Sequence, residues 1–185
     1  MAVPLAYFIT FTTYGTWLPG DARGFVSPVR GSAGKGERHN VVNTEYTSNR
    51  PALERFARGK LRGEPVLLNR EQAEVVLHQC QATADFRQWK LLAISVMRNH
   101  VHAIVRVNED PPPGALLRDL KSYSSRALNE QWSKPLSGTW WTTSGSTRML
   151  SDEAGVITAA RYVRDQEFPL VVWLAEVVVQ MLGAQ

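Results

Sequence analysis

The sequence is poor in cysteine, in long apolar runs and in histidine, and each scarcity narrows what the chain can be. A single cysteine, Cys80, leaves no disulfide within the chain and no cysteine cluster for zinc, which points to a reducing, cytoplasmic setting. No apolar run reaches the length of a membrane-spanning helix, and the first residues carry neither a basic flank nor a cleavage pattern. No membrane partner and no secretory leader are therefore expected. Acidic residues are outnumbered, 17 against 21 Lys and Arg, for a formal net charge of +4. The surplus is local: residues 20–70 hold ten Lys/Arg against five Asp/Glu, and the rest of the chain is nearly balanced. A local basic excess suits a polyanion such as nucleic acid, and equally a solubilising loop. With 185 residues, 44% of them hydrophobic, the chain reads as one domain (1–185) with an ordinary core.

Histidine is the scarcity that matters most. Of four, His39 lies in the basic stretch and reads as a surface residue. His78 falls two residues from Cys80 on a helical segment, where the two side chains do not face each other. The other two flank one valine, in Asn99-His100-Val101-His102, and an apolar β-forming run follows. On a strand, positions two apart share a face, so His100 and His102 project side by side. Neutral imidazole is a common ligand for divalent metals. Taken alone, the pair fits a solvated strand face as well as a metal site.

Residues 6–14 are aromatic and β-branched and read as a strand. From 15 to 65 periodicity disappears among glycines and prolines, so this stretch reads as a long basic loop. Arg23, Arg30, Lys35 and Arg38, with aromatic residues interspersed, give it the phosphate-pairing and base-stacking groups that single-stranded nucleic acid requires. Asn69 is a plausible cap for a helix to about residue 86, with Ala73, Val76, Leu77, Cys80 and Ala84 at helical spacing. Residues 89–97 and 100–107 read as two strands of a hairpin.

After a proline-rich link, 115–132 is an amphipathic helix. Leu116, Leu117, Leu120, Tyr123, Ala127 and Leu128 form its stripe, and Arg118, Lys121 and Arg126 lie on the other side as further nucleic-acid contacts. Tyr123 stands on the stripe and reads as core. Residues 138–143 form a short aromatic strand or loop. Ser151 is expected to cap the next helix, which carries Tyr162 and, four residues on and on the same face, Gln166. Residues 170–182 are strongly apolar and read as a packed helix or strand. The element order β-α-β-β-α-β implies an α+β, ferredoxin-like (split β-α-β) antiparallel sheet with helices packed on it and the histidine pair on an inner strand.

Two histidines, a tyrosine and an amide suggest phosphodiester chemistry. A bound metal polarises a phosphate oxygen, and a phenol that ordinarily titrates near pH 10 serves as nucleophile once it loses its proton. At this point the sequence resembles the single-tyrosine HUH transposases of small bacterial insertion sequences and their REP-associated relatives. These carry His-hydrophobic-His on a strand, often after Asn or Glu, as in Asn99 to His102 here. Their tyrosine lies on a later helix, with an Asn or Gln four residues beyond it. Tyr162 lies sixty residues after His102, and Gln166 keeps the offset. The REP-associated branch typically reads Tyr-Ile-x-x-Asn-Pro; here Tyr162-Val163-Arg164-Asp165-Gln166 is followed by Pro169, two residues later.

The resemblance implies a DNA-nicking and rejoining enzyme that uses Mg²⁺ or Mn²⁺, with Tyr162 as nucleophile and His100, His102 and Gln166 as metal ligands. Asp165 is the fallback ligand. The implied partner is single-stranded or hairpin DNA, and the implied setting is cytoplasmic, nucleoid-associated when bound. The alternative on the same fold is a DNA-hairpin-binding protein that no longer cleaves. Relatives of this type include homodimers that exchange the tyrosine helix as well as monomers, and the sequence leaves both open.

Overall fold

The computed structural model describes residues 6–22, 29–30, 36–37, 50–108 and 113–183. Strand β1 (Ala6–Thr12) is followed by the short pair β2 (Val29–Arg30) and β3 (Gly36–Glu37), then helices α1 (Pro51–Gly59) and α2 (Arg70–Phe86). Next come the hairpin β4 (Lys90–Val96) and β5 (His100–Arg106), helix α3 (Pro113–Gln131), strand β6 (Ser146–Leu150), helix α4 (Glu153–Arg164), strand β7 (Val171–Leu174) and helix α5 (Glu176–Gly183). Five strands form one sheet in the order β6-β1-β5-β4-β7, and every neighbouring pair is antiparallel. Its first four strands have the split β-α-β order, and β5 is central, flanked by β1 and β4.

Strand alternation sorts side chains to two faces. Tyr7, Ile9 and Phe11 of β1, and Val101, Ala103 and Val105 of β5, join one core. That core is completed by Val76, Leu77 and Cys80 of α2 and by Leu116, Leu120 and Leu128 of α3. The opposite face holds a smaller core of Ala6, Leu92, Ala93, Ile104 and Leu150, covered by Val156, Ala160 and Val163 of α4 and by Val178 of α5. Leu92 and Ala93 are adjacent yet share this second core because the register against β5 shifts between Leu91 and Ala93. The extra residue of such a bulge breaks the period-two rule.

Local signals explain most element ends. Asn69 and Gln72 form a reciprocal capping box at α2: the Gln72 backbone N–H donates to Asn69 Oδ1 at 2.8 Å, and the Asn69 N–H donates to Gln72 Oε1 at 3.0 Å. The cap of α4 is Asp152, not Ser151, since Asp152 Oδ1 accepts from the Gly155 N–H at 2.7 Å. Both residue types cap helices, and the helix start chooses between them.

The structure corrects four further expectations. The stretch 15–65 is not one loop, because it contains α1 and the β2–β3 pair. Helix α1 escapes the hydrophobic pattern because none of its residues is buried. It starts at a proline, which suits a first helical turn, and carries an Arg58–Glu54 ion pair at 2.7 Å one turn apart. Strand β6 is an addition: it lies at the sheet edge and buries only Leu150, so its sequence alternates weakly. The apolar run 170–182 is both strand and helix, β7 then α5. Tyr123 is not in the core; it is half-buried with the Arg126 guanidinium 5.1 Å from its ring centre, and Ser124 takes the buried place. Among the described residues, no helix is long and apolar enough to cross a membrane.

Candidate functional site

The turn that leads into β5 is held from one point. The carbonyl of Asn99 accepts from the Thr13 N–H at 2.9 Å, the Thr13 hydroxyl at 3.1 Å and the Thr16 hydroxyl at 3.2 Å. This fixes the start of β5, and alternation then sends His100, His102 and Ile104 to the α4 face while Val101 packs behind. The two imidazoles stand edge to face with centres 4.7 Å apart.

Each ring has its own partner at Nδ1. His100 Nδ1 lies 2.7 Å from Asn99 Oδ1, an acceptor, so this ring carries its proton on Nδ1 and its lone pair on Nε2. His102 Nδ1 lies 2.8 Å from the hydroxyl of Thr10, its cross-strand partner on β1. With that hydroxyl accepting, His102 takes the same tautomer. His102 is only 6% exposed, and Phe8 stacks on it with ring centres 5.4 Å apart. Burial, with the charge of His100 as the smaller cause, pushes the His102 pKa down to about 3. The ring is therefore neutral at any ordinary pH, which is the metal-binding form.

Helix α4 brings Tyr162 to this pair. Its ring meets His102 edge to face at 5.2 Å and Phe8 at 5.9 Å, and the residue is 52% exposed. The helix ends at Arg164, so Gln166 lies beyond its last turn and not on a shared helical face as the spacing predicts. It still returns to Tyr162: Gln166 Nε2 donates to the Tyr162 carbonyl at 2.8 Å, leaving the amide oxygen as the end that could bind a cation. An open cleft of about 460 Å³ is lined by Met97, His100, Arg161, Tyr162, Asp165, Gln166 and Glu167. Asp165 is gripped by Arg164 through both carboxylate oxygens, at 2.6 and 2.9 Å, and that pairing lowers its pKa.

The remaining sequence candidates lie elsewhere. Arg118, Lys121 and Arg126 are on α3, which packs against the other side of the sheet. Arg118 pairs with the buried Asp119 at 2.8 Å, and Arg126 covers Tyr123. Lys121 Nζ donates to the carbonyls of Thr142, Thr143 (3.1 Å) and Ser144 (3.2 Å), and burial pushes its pKa down to about 8. A second open cleft, about 500 Å³, runs along this side and includes Arg118, Lys121 and Trp141 in its lining. Arg23, Lys35, Arg38 and His39 lie outside the described residues. Arg30 lies in β2, and its side chain is likewise outside the described part. Thr10, Phe8 and Arg161 belong to the site, and sequence reasoning missed them as site residues. The only signals were the strand face that Thr10 and Phe8 share and the position of Arg161 beside Tyr162.

A strand-borne histidine pair with a helix-borne tyrosine packed on one ring, beside an open cleft, defines a candidate site for phosphodiester chemistry. Residues 62–166 match the family described as Transposase IS200 like, and the chain belongs to that family. Among solved structures, it is similar to a REP-associated tyrosine transposase bound to a REP hairpin, with 10% identity and a TM-score of 0.47. That match covers 88% of this chain and 66% of the other, so the chain spans about two thirds of that relative's length. It is also similar to a protein from Deinococcus radiodurans R1 described as a transposase, with 15% identity, a TM-score of 0.45, and 91% and 95% of the two chains covered. No curated relative matches the chain significantly.

Proposed function

We propose that the chain is a metal-dependent endonuclease and strand transferase acting on single-stranded DNA at hairpins or element ends through a 5′-phosphotyrosine. The observation that carries this reading is the placement of the Tyr162 ring against His102, 5.2 Å away, beside the cleft that His100, Arg161 and Gln166 line. His100 and His102 would hold the metal by Nε2, and Gln166 by its amide oxygen. The donor set fits a divalent ion: two imidazoles, Nδ1 atoms tied to Asn99 and Thr10, and an amide whose nitrogen is already engaged. Among the described residues no group of three or more His, Cys, Asp or Glu could hold a metal; in this reading the Gln166 amide oxygen would be the third ligand. Two imidazoles beside one amide oxygen suit Mn²⁺ better than Mg²⁺. When bound, the ion polarises a phosphate oxygen and offsets charge developing at phosphorus.

The chain's own groups do the rest. Arg161 lies in the cleft wall beside Tyr162 and can pair with the phosphate. The phenol gives up its proton and its oxygen forms the new bond to phosphorus. The bond from phosphorus to the 3′ oxygen breaks, and that oxygen takes up a proton to leave as a hydroxyl. The covalent phosphotyrosine conserves the bond energy, so a second 3′-hydroxyl can reverse the step and join a new strand.

The test is incubation with labelled DNA hairpins from sequence flanking the gene, with Mn²⁺ or Mg²⁺, followed by denaturing electrophoresis. A protein–DNA adduct should form, persist in Tyr123→Phe and vanish in Tyr162→Phe. Loss in Tyr123→Phe alone would overturn the site. Tight binding without any adduct would favour a non-cleaving hairpin-binding protein.

A further inference from the structure

Two residues past Gln166, Phe168 breaks two rules at once. The residue is 89% exposed, and its backbone has φ +54°, a region bulky side chains rarely adopt. It also precedes Pro169, and a pre-proline residue is normally held in extended backbone at negative φ. Nothing in the core requires this, since the ring joins neither hydrophobic cluster. Strained backbone of this kind persists mainly where function uses it. The position is specific: Phe168 directly follows Glu167, which lines the Tyr162 cleft, so their Cα atoms are about 3.8 Å apart across one peptide bond. Phe168 thus stands one residue past the cleft lining in the chain. The cleft lining that ends at Glu167 includes the polar Arg161 and Gln166, a composition unsuited to an apolar protein interface.

We propose that Phe168 is a stacking platform for an unpaired nucleobase next to the phosphate that Tyr162 attacks. An exposed aromatic face is the kind of platform on which single strands stack, and it accepts any base because every base has a flat face. The strained backbone then serves a purpose, since it turns the ring outward where an ordinary conformation would let it fold against the protein. This subsite rests on the proposed action on single-stranded DNA, and it adds a residue that grips the substrate without touching the metal ligands.

The experiment uses the full chain carrying Tyr162→Phe, so that DNA is bound and not cleaved. Single-stranded oligonucleotides from the flanking sequence carry 2-aminopurine at each position in turn. One position should be strongly quenched on binding. Phe168→Leu, still apolar but unable to stack, should abolish that quenching and weaken binding about tenfold, while Phe168→Trp keeps both. Phe168→Gly should weaken binding equally yet unfold at or above the parent's temperature, because glycine relieves the backbone strain. Binding by Phe168→Leu equal to the parent's, with quenching intact, overturns the platform alone. A parent that binds none of the oligonucleotides overturns both the platform and the reading beneath it. Loss of self-association in Phe168→Leu with unchanged DNA binding assigns the ring to a second copy of the chain and also overturns the proposal.

Discussion

Strand β5 presents two unlike surfaces to the two sides of the sheet. On one side Val101, Ala103 and Val105 are completely buried under α2 and α3. On the other, His100 and His102 share the face with Ile104, and α4 covers the apolar end while the histidine end opens to a cleft. The same backbone hydrogen bonds hold both. The comparison shows how the pair is held while one member stays open: the valines behind it anchor the strand, Phe8 packs on the buried His102, and His100 lines the cleft.

If the two faces divide labour in this way, substitutions should separate chemistry from stability. The largest effect is expected at the histidines. Alanine at either position should reduce adduct formation by at least about a hundredfold, the loss typical when an electrostatic stabiliser of a transition state is removed. His102→Ala should also lower the unfolding temperature, because it leaves a space under Phe8, whereas His100→Ala should barely change it. Adduct yield and thermal unfolding measured on both variants check this. On the opposite face, Leu120→Ala should cost between about 2 and 5 kcal/mol of stability, read by denaturant unfolding, while adduct formation by the folded fraction stays at the parent level. A comparable loss of chemistry would mean that the faces are coupled.

Acid sharpens the same contrast. His102 is held neutral down to about pH 3, whereas in the unfolded chain it titrates near 6.5. Between those values the unfolded chain binds more protons, so stability is full above about pH 6.5 and falls as pH drops through the window. The loss at pH 4 should be roughly 3 kcal/mol in chelator, and His102→Gln should flatten the slope. The smallest effect is expected at Thr10. Thr10→Val preserves the shape but removes the hydroxyl at His102 Nδ1, and should weaken Mn²⁺ binding by about tenfold in calorimetry, with Thr10→Ser restoring it.

What the sequence made legible follows from where the pattern was loud. Asn99 to His102 and the apolar run behind them are a strand with its site attached, and the Asn69–Gln72 box announces α2. Spacing and resemblance single out Tyr162 as a candidate, and the structure sets its ring beside His102. The quieter parts were lost for physical reasons. Helix α1 buries nothing, so no hydrophobic period marks it. Strand β6 hides a single inward leucine among polar residues. The early end of α4 at Arg164 has no glycine to mark it, and Gln166 reaches Tyr162 by a turn that no helical spacing describes. Thr10 was unreadable because its meaning comes from a partner 92 residues away.

The helix that carries Tyr162 is sewn into the sheet at both ends. Strand β6 enters it from one edge, beside β1, and β7 leaves it to the other edge, where Val171 to Leu174 pair with Val96 to Ala93 of β4. Lending that helix to a neighbouring copy would mean unzipping an edge strand and uncovering Leu92 and Ala93 each time. In this structure one chain carries both Tyr162 and the histidines it faces, on a helix whose two flanking strands are each paired into the sheet.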